Sequence, residues 1–159
     1  MANDEWRTPQ YIFDWLDREF HFDVDVAATA ENTKCHIFMK DGLVSPWVSS
    51  VFSKPPTCWM NPPYSNPKAW LKKAYEESLQ GCTVVSLIPG DTSTEWFHDL
   101  VWGKAEVRII KGRINFINPD KTKKTTAPKF GCILAIYGPN IEPRVITVKR
   151  PDKPKLNAA

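Results

Sequence analysis

Residues 58–70 read CWMNPPYSNPKAW. Thr57 to Met60 is an apolar run of strand length. It meets Asn61-Pro62-Pro63-Tyr64, and a proline cannot donate to a sheet ladder and fixes its own backbone angle. Two prolines in a row therefore end the strand and hold the residues on either side of them rigidly. Pro67 then opens a helix predicted to run through Gln80, with Gly81 as the residue that ends it. The stretch is thus a strand, a stiff turn and a helix. A rigid Asn and a rigid Tyr at such a turn have two readings: a turn and nothing more, or a clamp for a flat, hydrogen-bonding ligand.

The neighbouring segments set the architecture. Downstream, TVVSLIP (83–89) is a continuous apolar run of the kind buried on both faces of a parallel sheet. Thr92-Ser93-Thr94-Glu95 reads as a capping box, followed by a helix carrying Trp96, Phe97, Leu100 and Val101. Upstream, Thr8 is the predicted N-cap and Pro9 the first residue of a helix whose Ile12, Leu16 and Phe20 form one buried stripe. Phe22, Val24 and Val26 alternate with Asp23 and Asp25 in a strand. CHIFM (35–39) is a short second strand, with Asp41 at its end. EVRII, GCILAIY and RVITV close the chain as strands expected to pair antiparallel. Strands alternating with helices, then a strand-rich end, predict an α/β fold of three layers, mainly a parallel sheet with an antiparallel edge. Ligands in such sheets bind beyond the carboxyl ends of the strands. Asp25, Asp41 and Asn61 all fall at or beyond such ends.

At 159 residues the chain is expected to form a single domain over 1–150, with 151–159 (PDKPKLNAA) as a disordered tail. The N-terminus has no signal-peptide character and no apolar run is long enough to span a bilayer, which predicts a soluble protein of the cytoplasm. The four cysteines, Cys35, Cys58, Cys82 and Cys132, are scattered. Cys82 and Cys132 read as small core residues, and no disulfide is expected. Neither these nor His21, His36 and His98 have metal-ligand spacing, so no metal is expected. The net charge of +3 does not by itself announce nucleic acid. Its distribution is more pointed, because residues 111–129 (KGRINFINPDKTKKTTAPK) carry Lys111, Arg113, Lys121, Lys123, Lys124 and Lys129 against Asp120 alone. That segment reads either as a solvated loop or as one that contacts phosphates.

The Asn61 turn suits one chemistry well. The lone pair of an exocyclic amine on a heteroaromatic ring is delocalised and poorly nucleophilic. Acceptors that take both its N–H hydrogens favour the tetrahedral, reactive nitrogen. The side-chain oxygen of Asn61 and the carbonyl of Pro62 supply such a pair, Pro63 keeps the turn from relaxing, and Tyr64 offers a face for stacking.

At these residues the chain resembles the phage-type N6-adenine DNA methyltransferases. WRTP at 6–9, FDVDVAA followed by Asn32 and Cys35, DGL before Trp47, NPPY, LIP before Trp96-Phe97, and KGRINF occur here in that family's order, across residues 5 to 138. The resemblance implies a Rossmann-like S-adenosylmethionine-dependent methyltransferase fold. It implies transfer of the cofactor's methyl group to N6 of an adenine flipped out of duplex DNA, within a short target such as GATC. Asn61, Pro62, Pro63 and Tyr64 would hold the target base. Thr8 and Pro9 would lie beside the amino-acid end of the cofactor, Asp25 with Ala27 and Ala28 at the cofactor strand, and Asp41 at its adenosine, with Asn61 bordering the same site. Lys111, Arg113, Lys121, Lys123 and Lys124 are the implied DNA contacts. Duplex DNA is the implied partner, and monomer and weak dimer both remain open.

One departure concerns the cofactor. Many methyltransferases have a glycine-rich loop after the first strand, whereas VAATAENTK (26–34) contains no glycine. Several residues also have plainer readings. Thr8-Pro9 serves as a helix cap, Asp41-Gly42 as a turn, Asp25 as a solvent-facing strand residue, and Trp6, Trp47, Trp96 and Trp102 as core. Arg113 can cover apolar surface with its stem. For the whole protein, the alternatives are the same amino-methyl chemistry on RNA or a protein glutamine, or a DNA-binding module without catalysis.

Overall fold

The computed structural model describes residues 5–120, 122 and 130–156. In chain order the elements are α1 (Gln10–Phe20), β1 (Val24–Asp25), β2 (Ile37–Phe38), β3 (Thr57–Met60), α2 (Pro67–Leu79), β4 (Thr83–Pro89), α3 (Glu95–Leu100), β5 (Glu106–Lys111), β6 (Cys132–Tyr137) and β7 (Val145–Lys149). The strands form one seven-stranded sheet in the order β2-β1-β3-β4-β6-β5-β7.

The sheet is mixed and mainly parallel. β2, β1, β3 and β4 are parallel neighbours, and β7 runs parallel to β5. β6 alone opposes its neighbours, antiparallel to both β4 and β5. The last three strands thus depart from simple antiparallel succession. Both edges of β6 are taken by β4 and β5, so β7 can add only on the outer side of β5. It is fixed there by the Val107 amide donating to the Arg144 carbonyl at 2.7 Å and by Arg144 Nε on Glu106 Oε2 at 2.8 Å.

Alternation along the central strands sends side chains to two separate cores, which gives the three layers. On one face Ile12, Phe13 and Leu16 of α1 pack on Trp59, Val85, Leu87, Leu134 and Ile136. On the other, Trp70, Leu71 and Ala74 of α2 and Phe97 of α3 cover Val24, Cys58, Met60, Val84, Ala135 and Tyr137. The TVVSLIP strand is buried through its centre, as expected for a strand covered on both faces.

The helix ends follow local chemistry. Asn66 caps α2, its side chain accepting from Ala69 N. The chain leaves through Gly81 at φ +104°, where a Cβ would meet the Pro55 ring at 2.9 Å. Two predicted caps are corrected. Thr8 does not cap α1: Pro9 occupies the cap position, its carbonyl accepting from Ile12 and Phe13. Thr94, not Thr92, caps α3, its hydroxyl accepting from Phe97 N at 3.4 Å.

All four cysteines are free. Trp47 is fully buried, while Trp102 is 60% exposed and so is not core. Among the described residues no helix is long and apolar enough to cross a membrane, and no group of His, Cys, Asp and Glu is placed to hold a metal ion.

Candidate active site

The chain runs outward from β1 to β2 and then returns across β1 to begin β3. Between β1 and β3 the order of strands therefore reverses, and loops leave the two carboxyl ends in opposite directions. Such a switch point is where open α/β sheets form a crevice. A cleft of about 470 Å³ lies there, a size suited to a small organic ligand. Trp6, Arg7 and Thr8 enter it from the segment before α1, Asp25, Ala27 and Ala28 from the end of β1, and Asn61 and Pro63 from the end of β3.

The loop after β1 is organised by Asp25. This residue is buried at 3% exposure, so it is not the solvent-facing residue that alternation alone would allow. Its Oδ1 accepts from Ala27 N at 3.3 Å and its Oδ2 from Lys34 N at 3.0 Å. Thr29 N donates to Asn32 Oδ1 at 2.7 Å, closing the middle of the same loop. A carboxylate thus gathers the amides that a glycine-rich loop would leave for a ligand. Burial pushes the Asp25 carboxyl up to about 6, against the opposing pull of those two amides and of Lys34. Burial also lowers the Lys34 ammonium, whose Nζ rests on Gln10 Oε1 at 3.2 Å.

At the end of β3, Asn61 Nδ2 donates to the Trp6 carbonyl at 3.5 Å. That contact ties the Asn61 turn to the segment before α1 and turns the side-chain oxygen elsewhere. Pro62 is buried. Tyr64 points to the other side of the turn. Its hydroxyl donates to the Leu87 carbonyl at 3.5 Å, its ring meets Phe116 edge-on at 6.0 Å, and burial holds its phenol well above the usual range. There it lines a second cavity of about 280 Å³ with Pro89, Asp91, Trp96 and Phe130. The Asn61–Tyr64 turn is therefore the wall between two cavities, one polar and one aromatic.

The remaining predicted residues are distributed as follows. Pro9 is buried at the start of α1 and does not line the cleft. Asp41 is exposed, and its carbonyl accepts from Val44 and Ser45 in a turn. It lies outside the cleft lining, where its neighbour Lys40 is present. Lys111 and Arg113 are exposed at and just beyond the end of β5. Lys121, Lys123 and Lys124 lie outside the described residues. Arg7 and Trp6 are among the cleft residues that motif reading passed over, with Glu31, Lys34, Lys40 and Trp59, although they stand directly before Thr8 in WRTP. Arg7 is held by backbone bonds in both directions with Ile117, each 2.9 Å, which join the segment before α1 to the KGRINF segment.

A three-layer α/β sheet of this order, with its cleft at the β1/β3 switch point, is a Rossmann-like methyltransferase fold. The family follows from sequence comparison. Residues 1–157 match the family model described as DNA N-6-adenine-methyltransferase (Dam), and the chain belongs to that family. A DNA N-6-adenine-methyltransferase of Haemophilus phage HP1 (strain HP1c1) is 35% identical over 143 residues, covering 86% of this chain and 79% of that protein. Another of the same description, from Escherichia phage T1, is 28% identical over 153 residues, covering 85% of this chain and 63% of its own length. No solved structure matches the chain.

Proposed function

We propose that this protein transfers a methyl group from S-adenosylmethionine to the N6 amine of an adenine in duplex DNA, acting on a short target sequence in the cytoplasm of a bacterial host. One observation carries the reading: Asn61 lines the same cleft as Thr8, Asp25, Ala27 and Ala28, although these residues come from three separate parts of the chain. Family membership supports the same substrate, since the phage relatives are described as DNA N-6-adenine-methyltransferases.

The cleft fits the cofactor on chemical grounds. It is polar, it has cations and carboxylates within one lining, and Thr8 Oγ1 and Arg7 Nε are buried there with no hydrogen-bond partner among the described residues. Thr8, Asp25 with its loop, Ala27, Ala28 and Asn61 would hold the cofactor, which when bound supplies an electrophilic methyl group. The protein's own residues provide orientation and electrostatics. Asn61 Oδ1 and the Pro62 carbonyl accept the two N–H hydrogens of the target amine and so favour its nucleophilic form. Both acceptors are fixed before the base arrives, because Pro62-Pro63 cannot relax, so little reorganisation accompanies the charge that develops on nitrogen. A base reaches this turn only when it is out of the stack. The aromatic cavity walled by Tyr64, Trp96 and Phe130 offers the flat surfaces that replace lost stacking. Lys111, Arg113, Lys121, Lys123 and Lys124 supply phosphate contacts that position the duplex without reading it.

The test is incubation of the protein with methyl-labelled S-adenosylmethionine and unmethylated duplex DNA, followed by separation of the nucleosides. Label is expected in N6-methyladenine alone. Label in another nucleoside, or incorporation into RNA or protein but not DNA, contradicts the proposal.

A further inference from the structure

KGRINF leaves the end of β5 at Lys111 and runs on outside regular structure until Ile117 bridges to Arg7. This stretch touches both cavities. Ile117 exchanges its two backbone bonds with Arg7 at the edge of the polar cleft. Phe116, only 2% exposed, meets the Tyr64 ring edge-on at 6.0 Å. Burial pushes the thiol of Cys132, which lines the aromatic cavity beside Tyr64, up to about 11, against the pull of the Tyr64 hydroxyl and of the Arg113 charge. Arg113 therefore stands close to that cavity.

The near end of the stretch is held by Arg150, just past β7. Its amide donates to the Lys111 carbonyl at 3.2 Å, its Nε to the Arg113 carbonyl at 2.8 Å and its Nη1 to the Pro151 carbonyl at 2.8 Å. Its stem lies across Gly112, where φ is +99° and a Cβ would meet Arg150 Nε at 2.9 Å and Cγ at 3.0 Å. Both the backbone angle and the close approach call for glycine there. Two of the guanidinium nitrogens are thus turned to carbonyls of the protein's own chain, and such charge-assisted bonds are about twice as strong as neutral ones. Backbone outside helices and strands holds its course only as well as its tethers do. Here they are Arg150 at one end, Arg7 at the other and the buried Ile114 between them.

We propose that Arg150 is a positioning residue for methyl transfer: it sets the course of residues 112–117 and, through Phe116, the placement of Tyr64 against the target base. The proposal rests on the reading of Tyr64 as a wall of the base cavity.

Single-turnover methyl transfer at saturating duplex DNA and S-adenosylmethionine, measured with three substitutions, tests it. Arg150→Gln keeps a donor where Nε stands but loses the charge. Arg150→Met keeps only the stem, and Arg150→Lys keeps the charge with a methylene in the place of Nε. Arg150→Met and Arg150→Lys are each expected to lower the saturated rate about 10- to 100-fold, the range for a reacting group misplaced by about 1 Å. Arg150→Gln recovers most of that loss. The effect appears in the saturated rate and not in the DNA concentration needed to reach it. Arg150→Met combined with Phe116→Leu falls no further than the slower single variant, because the two act along one path. Arg150→Lys carries the comparison if Arg150→Met does not fold. Rates that follow the charge, with Arg150→Lys like wild type and Arg150→Gln like Arg150→Met, overturn the proposal in favour of a phosphate contact. Unchanged rates with a lowered melting temperature overturn it in favour of a brace for stability alone. Losses that multiply in the double variant overturn the route through Phe116. Wild-type protein that leaves DNA unmethylated overturns the functional reading and this proposal with it, so the two failures are distinguishable.

Discussion

Asp25 shows how a single buried side chain organises a loop that contains no glycine. Glycine-rich loops bring backbone amides to a cofactor by having no side chains in the way. Here the loop from 26 to 34 has side chains throughout, and it is shaped by the buried Asp25 carboxylate taking the amides of Ala27 and Lys34. That arrangement places an ionisable group where water does not help it. Its carboxyl rises from 3.8 to about 6, with burial as the leading cause. The folded protein therefore binds a proton more tightly here than the unfolded chain does. Stability from this group is fully present below 3.8 and is lost as pH rises through about 6. At ~1.4 kcal/mol per unit, the loss amounts to about 3 kcal/mol. Denaturant unfolding of wild type and Asp25→Asn across this range checks it. The wild type is expected to lose about that much stability relative to the variant between the two values and to hold a constant difference above them. A difference that does not change with pH would show that Asp25 is solvated in the folded state.

Among the elements, α3 and β7 show where pattern and structure part. Thr92 and Glu95 have the spacing of a capping box, but Asp91 intervenes. Its Oδ1 accepts from Ser93 N at 3.2 Å and from Ser93 Oγ at 2.7 Å, and its carbonyl accepts from Thr94 Oγ1 at 2.9 Å. These bonds form a turn that competes with helix, the usual behaviour of Asp followed by small hydroxyl residues. The helix consequently begins at Glu95, with Thr94 as its cap. Thr94→Ala is expected to cost about 1 kcal/mol of unfolding free energy, and Thr92→Ala a few tenths at most. Equal costs in a thermal or denaturant comparison would return the cap to Thr92. For β7, the sequence pattern shows a strand but not its neighbour. Whether β7 pairs with β6 or β5 depends on β6 being enclosed on both sides, a property of the assembled sheet that no local pattern contains.

For the whole molecule, the order of elements was legible because each central strand is a dense apolar run bounded by turn residues, as in TVVSLIP and CILAIY. The turn at Asn61 was legible because consecutive prolines have few other uses at a strand end. Less legible was the site's composition. From its own residues Thr8 read as a cap, and only the family resemblance put it at the cleft that it lines; Asp41 looked like a strand-end ligand and sits exposed in a turn. Arg7 carried no signal beyond its place beside Thr8. The burial of Thr8 and of Arg7 Nε arises only when the segment before α1 meets Ile117, just after KGRINF, and the ends of β1 and β3. The proposed function therefore draws on the junction of distant segments, and Asn61 is the residue that the proposal assigns to both cofactor and target base.

Parallel measurement of methyl transfer and cofactor binding in Asn61→Ala tests that account most directly. The prediction is transfer to adenine N6 reduced to background, with S-adenosylhomocysteine affinity within about tenfold of wild type, since an uncharged hydrogen bond contributes about 0.5–1.5 kcal/mol. Transfer that survives the substitution, or affinity that collapses along with transfer, would contradict the role of Asn61 as the acceptor that activates the target amine.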